Sequence, residues 1–114
     1  MATTGIGGIF FRAHDPQALA AWYRDHLDIP EMWNQQAGLT VFAPFKQDSD
    51  YFPADRQFML NVRVTDLDGL MARLKAAGIA IETRAEWDTP ETGRFARIQD
   101  PEGNPIELWQ PPAA

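Results

Sequence analysis

The chain has 114 residues, a formal net charge of −6 and no cysteine. This length fits one domain with a single core, and the acidic balance argues against nucleic acid and anionic membranes as general partners. The absence of cysteine excludes a disulfide framework, a thiolate nucleophile and a cysteine-bound zinc.

The N-terminal residues contain no recognisable targeting signal. Residues 1–5 have neither a basic region nor an apolar run, and no later apolar stretch reaches membrane-spanning length. The sequence therefore predicts a cytoplasmic protein that binds neither nucleic acid nor membrane.

The first half of the chain predicts one strand, one helix and one hairpin. Apolar alternation predicts a strand over residues 6–13. Asp15 followed by Pro16 is typical of a helix start, with the aspartate as N-cap. The hairpin strands are predicted at residues 32–36 and 39–45.

The second half repeats this order after a polar loop at residues 46–56. A strand is predicted over residues 58–65, and Asp66 is expected to cap the helix that follows. Gly78 fits the left-handed position after that helix. The remaining strands are predicted at residues 79–83, 94–99 and 105–110.

The two halves align at an offset of 51 residues, so that Arg12 matches Arg63 and Asp15 matches Asp66. This match indicates an internal duplication within a single domain, residues 1–114. The repeats span about residues 5–50 and 57–111. Neither unit has enough strands to close its own sheet, so we expect the two to pair edge to edge.

Strand alternation then divides the side chains between two faces of the sheet. One set is expected to lie under the helices: Ile9, Phe11, Leu60, Val62, Val64, Ile98, Ile106 and Leu108. The other set is expected to line a cup: Gly8, Phe10, Arg12, Met59, Asn61, Arg63, Phe95, Arg97, Glu107 and Trp109.

The most informative stretch is residues 100–107, with the sequence DPEGNPIE. Asp100, Pro101 and Gly103 occupy turn positions that favour these residue types. Pro105 can open the next strand but not lie centrally in it. This turn leads into a strand that carries Glu107, a carboxylate that faces either solvent or a cavity.

These features resemble the vicinal oxygen chelate superfamily, which includes glyoxalase I, bleomycin-resistance proteins, fosfomycin-resistance enzymes and extradiol dioxygenases. The resemblance covers nearly the whole chain and is carried by residues 11–15, 21–27, 60–66 and 100–107. It implies an α+β fold of two βαβββ units that form an open, U-shaped barrel with helices outside, in a homodimer.

Metal-dependent members of that superfamily hold a divalent ion with two histidines and a carboxylate. The matching positions here are Gly8, Met59 and Glu107, so only the carboxylate is retained. Glycine has no side chain, and a thioether is a poor ligand for hard or borderline divalent ions. The expectation is no cofactor and no divalent metal, with Glu107 as the one candidate ligand.

The cup residues predict a site for an aromatic or anionic small molecule. The candidate ligand-binding residues are Phe10, Arg12, Phe42, Met59, Asn61, Arg63, Phe95, Arg97 and Trp109. The arginines have two interpretations that the sequence leaves open. They lie at strand ends and reach solvent or acidic loops, or they bind a carboxylate, phosphate or enolate of the ligand.

Three functions are compatible with this sequence. The first is a metal-independent small-molecule binding protein of the bleomycin-resistance type. The second is a lyase or isomerase that uses Glu107 as a general base, or as a metal ligand. The third is a degenerate member whose cup is filled by its own side chains. Glu107 is the only candidate catalytic residue.

Overall fold

Two helices and three strands form the fold of the computed structural model, which describes residues 2–113. Met1 and Ala114, which the predicted domain includes, lie outside the described part. The elements are α1 (Pro16–Leu27), β1 (Leu60–Arg63), α2 (Leu67–Ala76), a 3-10 turn (Ala85–Trp87), β2 (Arg94–Gln99) and β3 (Pro105–Gln110).

Both helices begin where the sequence predicts, because an aspartate caps each of them. Asp15 Oδ1 accepts a hydrogen bond of 3.1 Å from the N–H of Ala18, and Asp66 Oδ1 accepts one of 3.0 Å from Gly69. These bonds satisfy N–H groups that lack partners within the helix. Gly78 follows α2 with a φ of 79°, which confirms its predicted left-handed conformation.

The three strands form one sheet in the order β1-β3-β2. The pairs β1–β3 and β2–β3 are parallel and antiparallel, respectively. The turn between β2 and β3 is closed by Asp100, which is 4% exposed. Its Oδ1 accepts backbone N–H groups from Glu102 at 2.9 Å and from Asn104 at 3.0 Å.

The core lies between the two helices and one face of the sheet. Its buried members are Leu19, Tyr23, Leu27, Leu67, Leu74, Ala96, Ile98, Ile106 and Leu108. Each fully buried leucine or isoleucine stabilises the fold by about 1.5–3 kcal/mol. The Tyr23 hydroxyl donates to Asp100 Oδ2 at 2.7 Å, so α1 is also hydrogen-bonded to the turn. The face predicted to lie under the helices is therefore confirmed for Ile98, Ile106 and Leu108.

Several predicted strands are wrong. Within residues 2–59 the structure has α1 but no strand at residues 6–13, 32–36 or 39–45. Residues 79–83 contribute only an isolated bridge between Glu82 and Arg97. Apolar alternation shows which side chains could share a face, but a strand also needs a neighbouring backbone with free hydrogen-bonding groups. Residues 6–13, 32–36 and 39–45 have no such partner strand among residues 2–113.

The same correction applies to two predicted core residues of the first half. Ile9 is 54% exposed, and Phe11 is 37% exposed. Phe11 makes edge-to-face ring contacts with Tyr23 and Phe58, whereas Ile9 lies on a segment without a sheet to cover. No helix in residues 2–113 combines the length and the apolar character needed to cross a membrane.

Candidate functional site

A row of polar side chains crosses the sheet on the face opposite the core. In the strand register, Arg97 lies directly opposite Glu107, and Asn61 lies opposite Glu107 on the other side. The bridge to β2 places Glu82 opposite Arg97 at the outer end of the row. Directly opposed residues share a face, so these four side chains project on one side. Sequence alternation predicts this common face for Asn61, Arg97 and Glu107.

Glu107 is a buried carboxylate with a hydrogen bond on each oxygen. Its side chain is 7% exposed. Asn61 Nδ2 donates to Oε1 at 2.8 Å, and the Tyr51 hydroxyl donates to Oε2 at 2.5 Å. A buried carboxylate needs such donors, because desolvation otherwise disfavours its charge.

Tyr51 is the residue of this cluster that the sequence analysis missed. It lies in the loop at residues 46–56, and its carbonyl oxygen accepts a 3.0 Å hydrogen bond from Arg97 Nη1. The guanidinium carbon of Arg97 is 4.9 Å from the centre of the Tyr51 ring. Burial, together with donation to Glu107, raises the pKa of Tyr51 to about 12. The phenol is therefore a protonated donor at neutral pH. An aromatic pair, Tyr51-Phe52, inside a polar loop is the signal that could have identified it.

Arg97 is a half-buried cation with an unsatisfied edge. Its guanidinium carbon lies 5.3 Å from the Trp87 ring centre, in addition to the Tyr51 contact. Its Nε and Nη2 atoms are buried and have no hydrogen-bond partner among residues 2–113. A buried donor without a partner costs about 1–3 kcal/mol. The structure therefore retains an unfavourable arrangement at this position.

A stacked aromatic pair lies beside the polar row on the same face. Phe95 and Trp109 are opposed in the register, and their rings are 6.2 Å apart with an interplanar angle of 7°. Trp109 Nε1 donates to the Thr92 carbonyl at 2.7 Å, which fixes the indole. Arg63 lies opposite Trp109 in the register and shares this face, but its Nη2 donates to the Gln36 carbonyl at 2.8 Å. Polar and aromatic surfaces are thus adjacent.

The other predicted ligand-binding residues do not join this cluster. Phe10 is 94% exposed and Phe42 is 82% exposed. Arg12 is exposed, and Met59 is half-buried just before β1. Phe10, Arg12 and Phe42 lie on first-half segments that pair with no strand in residues 2–113, so nothing in that part of the chain holds them against the sheet face.

The donor groups here do not fit a divalent ion. No group of three histidine, cysteine, aspartate or glutamate side chains converges anywhere in residues 2–113. Gly8 and Met59 offer no oxygen or nitrogen side-chain ligand, and both Glu107 oxygens already accept hydrogen bonds. Metal sites need about three or more converging protein ligands.

Two surface depressions of the described chain lie away from the polar row. One, of about 250 Å³, is lined by residues of α1 and the β2–β3 turn, including His14, Trp22 and Glu102. The other follows the C-terminal segment and includes Asp88 and Pro111. Neither depression is lined by Glu107 or Tyr51.

This chain is similar to known proteins in sequence and in fold. A family model described as "Glyoxalase-like domain" matches residues 8–109. The crystal structure of TnmS3, an antibiotic binding protein from Streptomyces sp. CB03234, is 27% identical, with a TM-score of 0.62, and the match covers 97% of this chain and 98% of that one. A glyoxalase/bleomycin resistance protein from the same strain is 36% identical over 47% of this chain and 46% of its own, with a TM-score of 0.36. No curated protein matches.

The family model spans nearly the whole chain, from the segment before α1 to the penultimate residue of β3. It includes all four stretches that carry the sequence resemblance, residues 11–15, 21–27, 60–66 and 100–107. That resemblance is confirmed: the chain belongs to the glyoxalase-like domain family, within the vicinal oxygen chelate superfamily.

Proposed function

We propose that the protein binds a small molecule on the sheet face formed by the polar row and the Phe95–Trp109 stack, without a metal ion. The observation that carries this proposal is the juxtaposition of Glu107 and Arg97 with a flat aromatic surface. A few convergent polar groups beside apolar walls are the usual composition of a small-molecule site. The likeness to TnmS3, an antibiotic binding protein, supports the same class of function.

The donor chemistry supports metal independence. One carboxylate at Glu107, with both oxygens hydrogen-bonded, is a weak site for a divalent ion. We therefore expect dialysis against EDTA to leave ligand affinity unchanged. Elemental analysis that finds about one metal ion per chain, together with binding lost on chelation, would contradict this part of the proposal.

The proposed assembly is a homodimer of single-domain chains, each with two βαβββ repeats around an open barrel. The large apolar side chains that are exposed in residues 2–113 lie between Ile6 and Phe45, in the first predicted repeat, apart from Phe58 at the start of the second. A second copy of the chain is the proposed cover for them. Pairing across a two-fold axis would also give the segments without a partner strand a neighbouring backbone.

A second candidate is a lyase or isomerase with Glu107 as general base. The burial of this carboxylate beside a phenol donor favours it, because catalytic carboxylates commonly lie in such enclosed positions. Turnover that depends on one ionisation and is lost in Glu107→Gln would establish the enzyme. Saturable binding with the ligand recovered unchanged would establish the binding protein.

The direct experiment is a binding screen with small aromatic molecules, in buffer that contains EDTA. Tryptophan fluorescence is the readout. We expect saturable quenching that is lost in the double variant Trp87→Phe plus Trp109→Phe, because both indoles lie on the proposed face. If this double variant quenches like the parent protein, the signal comes from Trp22 or Trp33 and the proposed face is wrong. Arg94→Gln is a suitable control, since Arg94 forms a surface ion pair with Asp68.

A further inference from the structure

We propose that Tyr51 is an internal occupant of the binding site, and that the ligand is a small aromatic acid that displaces it. In the bound state the ligand carboxylate lies on the Nε–Nη2 edge of Arg97. This inference rests on the proposed small-molecule function and specifies its ligand class.

Tyr51 already makes the contacts expected of a bound aromatic molecule. Its hydroxyl donates to Glu107, its carbonyl accepts from Arg97, and its ring packs against the guanidinium of Arg97. The ring also lies 6.5 Å from that of Trp87. A hydroxyaryl ligand would reproduce the ring and the phenol donor. Glu107 would then keep a donor on each oxygen when Tyr51 leaves.

Arg97 specifies the acidic group of the ligand. Tyr51 supplies an acceptor to Nη1 alone, whereas Nε and Nη2 are buried without a partner in residues 2–113. These two atoms form the side-on edge of the guanidinium, whose parallel N–H groups match the two oxygens of a carboxylate. A ligand carboxylate would satisfy both donors at once.

The carboxylates on either side of Arg97 in the register do not neutralise it. Glu82 accepts from Arg84 at 2.8 Å, and Glu107 accepts from Tyr51 and Asn61. None of the ion pairs in residues 2–113 includes Arg97. The positive charge therefore remains available to an anion, and the surrounding low polarity strengthens that attraction.

The loop that carries Tyr51 is also attached at its far end, through Arg56. Arg56 donates to Asn104 Oδ1 at 3.3 Å and to the Glu102 carbonyl at 3.2 Å. Residues 46–48, at the other end, are exposed. Displacing Tyr51 would break its two hydrogen bonds, while the Arg56 contacts would keep the loop attached to the β2–β3 turn. The apparent affinity equals the intrinsic affinity multiplied by the fraction of molecules in which Tyr51 has left the site.

The test uses 4-hydroxybenzoate and its neutral analogue 4-hydroxybenzamide, with affinities measured by calorimetry on the full chain. Tyr51→Gly should bind the acid at least 10-fold more tightly than the parent, and at least 10-fold more tightly than it binds the amide. In the Tyr51→Gly background, Arg97→Gln should weaken acid binding at least 10-fold and amide binding less than 3-fold. Arg94→Gln, on the same strand, should change neither. Far-UV circular dichroism and the thermal unfolding midpoint report that each variant is folded.

Four results would overturn the proposal. Equal affinities for acid and amide would show that the carboxylate is not recognised, while leaving the proposed binding function intact. An equal loss of both ligands in Arg97→Gln would give Arg97 only a structural role. If neither Tyr51→Gly nor Tyr51→Phe binds the acid more tightly than the parent does, Tyr51 does not compete with the ligand. Absence of binding by both probes in every folded variant would contradict this inference and the proposed function together.

Discussion

Two tyrosines of this protein donate to carboxylates, in opposite environments. Tyr23 lies in the core and donates to Asp100, whereas Tyr51 lies on the polar face of the sheet and donates to Glu107. Burial and then the partner carboxylate raise the pKa of each phenol above its ordinary value of 10.0. The first bond fixes α1 to the turn, and the second fixes a loop to the site.

The Tyr51 bond predicts a loss of stability in alkaline solution. Its pKa is about 12 in the folded state and about 10 when unfolded, so the folded protein retains the proton more strongly. The contribution is fully present below pH 10 and is lost as pH rises through about 12. Urea unfolding across this range should show a smaller decrease for Tyr51→Phe than for the parent. An identical pH slope for both proteins would contradict the assignment.

Substitution of Asp100 should strongly reduce the stability of the fold. The Asp100 side chain accepts from Tyr23, Glu102 and Asn104, and removing it leaves these donors without their acceptor. Asp100→Ala should lower the free energy of unfolding by about 3 kcal/mol or more, since each buried unsatisfied donor costs about 1–3 kcal/mol. Asp25→Ala, which removes only a surface ion pair, should cost less than about 0.5 kcal/mol. Similar losses in both variants would contradict this role.

At the scale of elements, the sequence predicted the parts whose signals are local. Aspartate caps, Pro16 and Gly78 determine the helix ends, and the DPEG turn determines where β2 ends and β3 begins. The strand predictions in the first half are wrong because a strand depends on a distant partner, which no local pattern specifies. The polar row followed from strand alternation. The position of Tyr51 could not be predicted in this way, since Tyr51 reaches the sheet from an irregular loop.

Gly78 gives an element-scale prediction. Its φ of 79° is a left-handed conformation that side chains rarely adopt, although no atom lies near the position of an added Cβ. Gly78→Ala should therefore destabilise the protein by about 1 kcal/mol through backbone strain alone. The matched control is Gly7→Ala, where space is equally open and φ is not in that range. Equal thermal unfolding midpoints for the two variants would contradict the explanation.

At the scale of the whole molecule, the first half of the chain leaves much of its apolar surface uncovered. The radius of gyration is 14.7 Å, against about 13 Å expected for a compact chain of this length. Exposed phenylalanines such as Phe10 and Phe42 carry a large free-energy gain on burial. A second copy of the chain would supply the partner that residues 2–59 lack.

Light scattering should therefore give twice the chain mass at micromolar concentration. The double variant Phe10→Asp plus Phe42→Asp should shift the protein toward the monomer, because burying two carboxylates at an interface is costly. Lys46→Asp, an exposed position in the same half, should leave the mass unchanged. A parent protein that is monomeric at these concentrations would contradict the dimer.

The central claim, a metal-independent binding face on the polar side of the sheet, is tested most directly by the indole N–H resonances. The four tryptophans report on three surfaces. Trp87 and Trp109 lie on the proposed face, and Trp22 lines the depression between α1 and the β2–β3 turn. Trp33 lies between α1 and the polar loop. Titrating 4-hydroxybenzoate into ¹⁵N-labelled protein in EDTA should shift Trp87 and Trp109 saturably and leave Trp22 and Trp33 unchanged. A shift of Trp22 alone, no shift at all, or a shift that requires added divalent metal would contradict the claim.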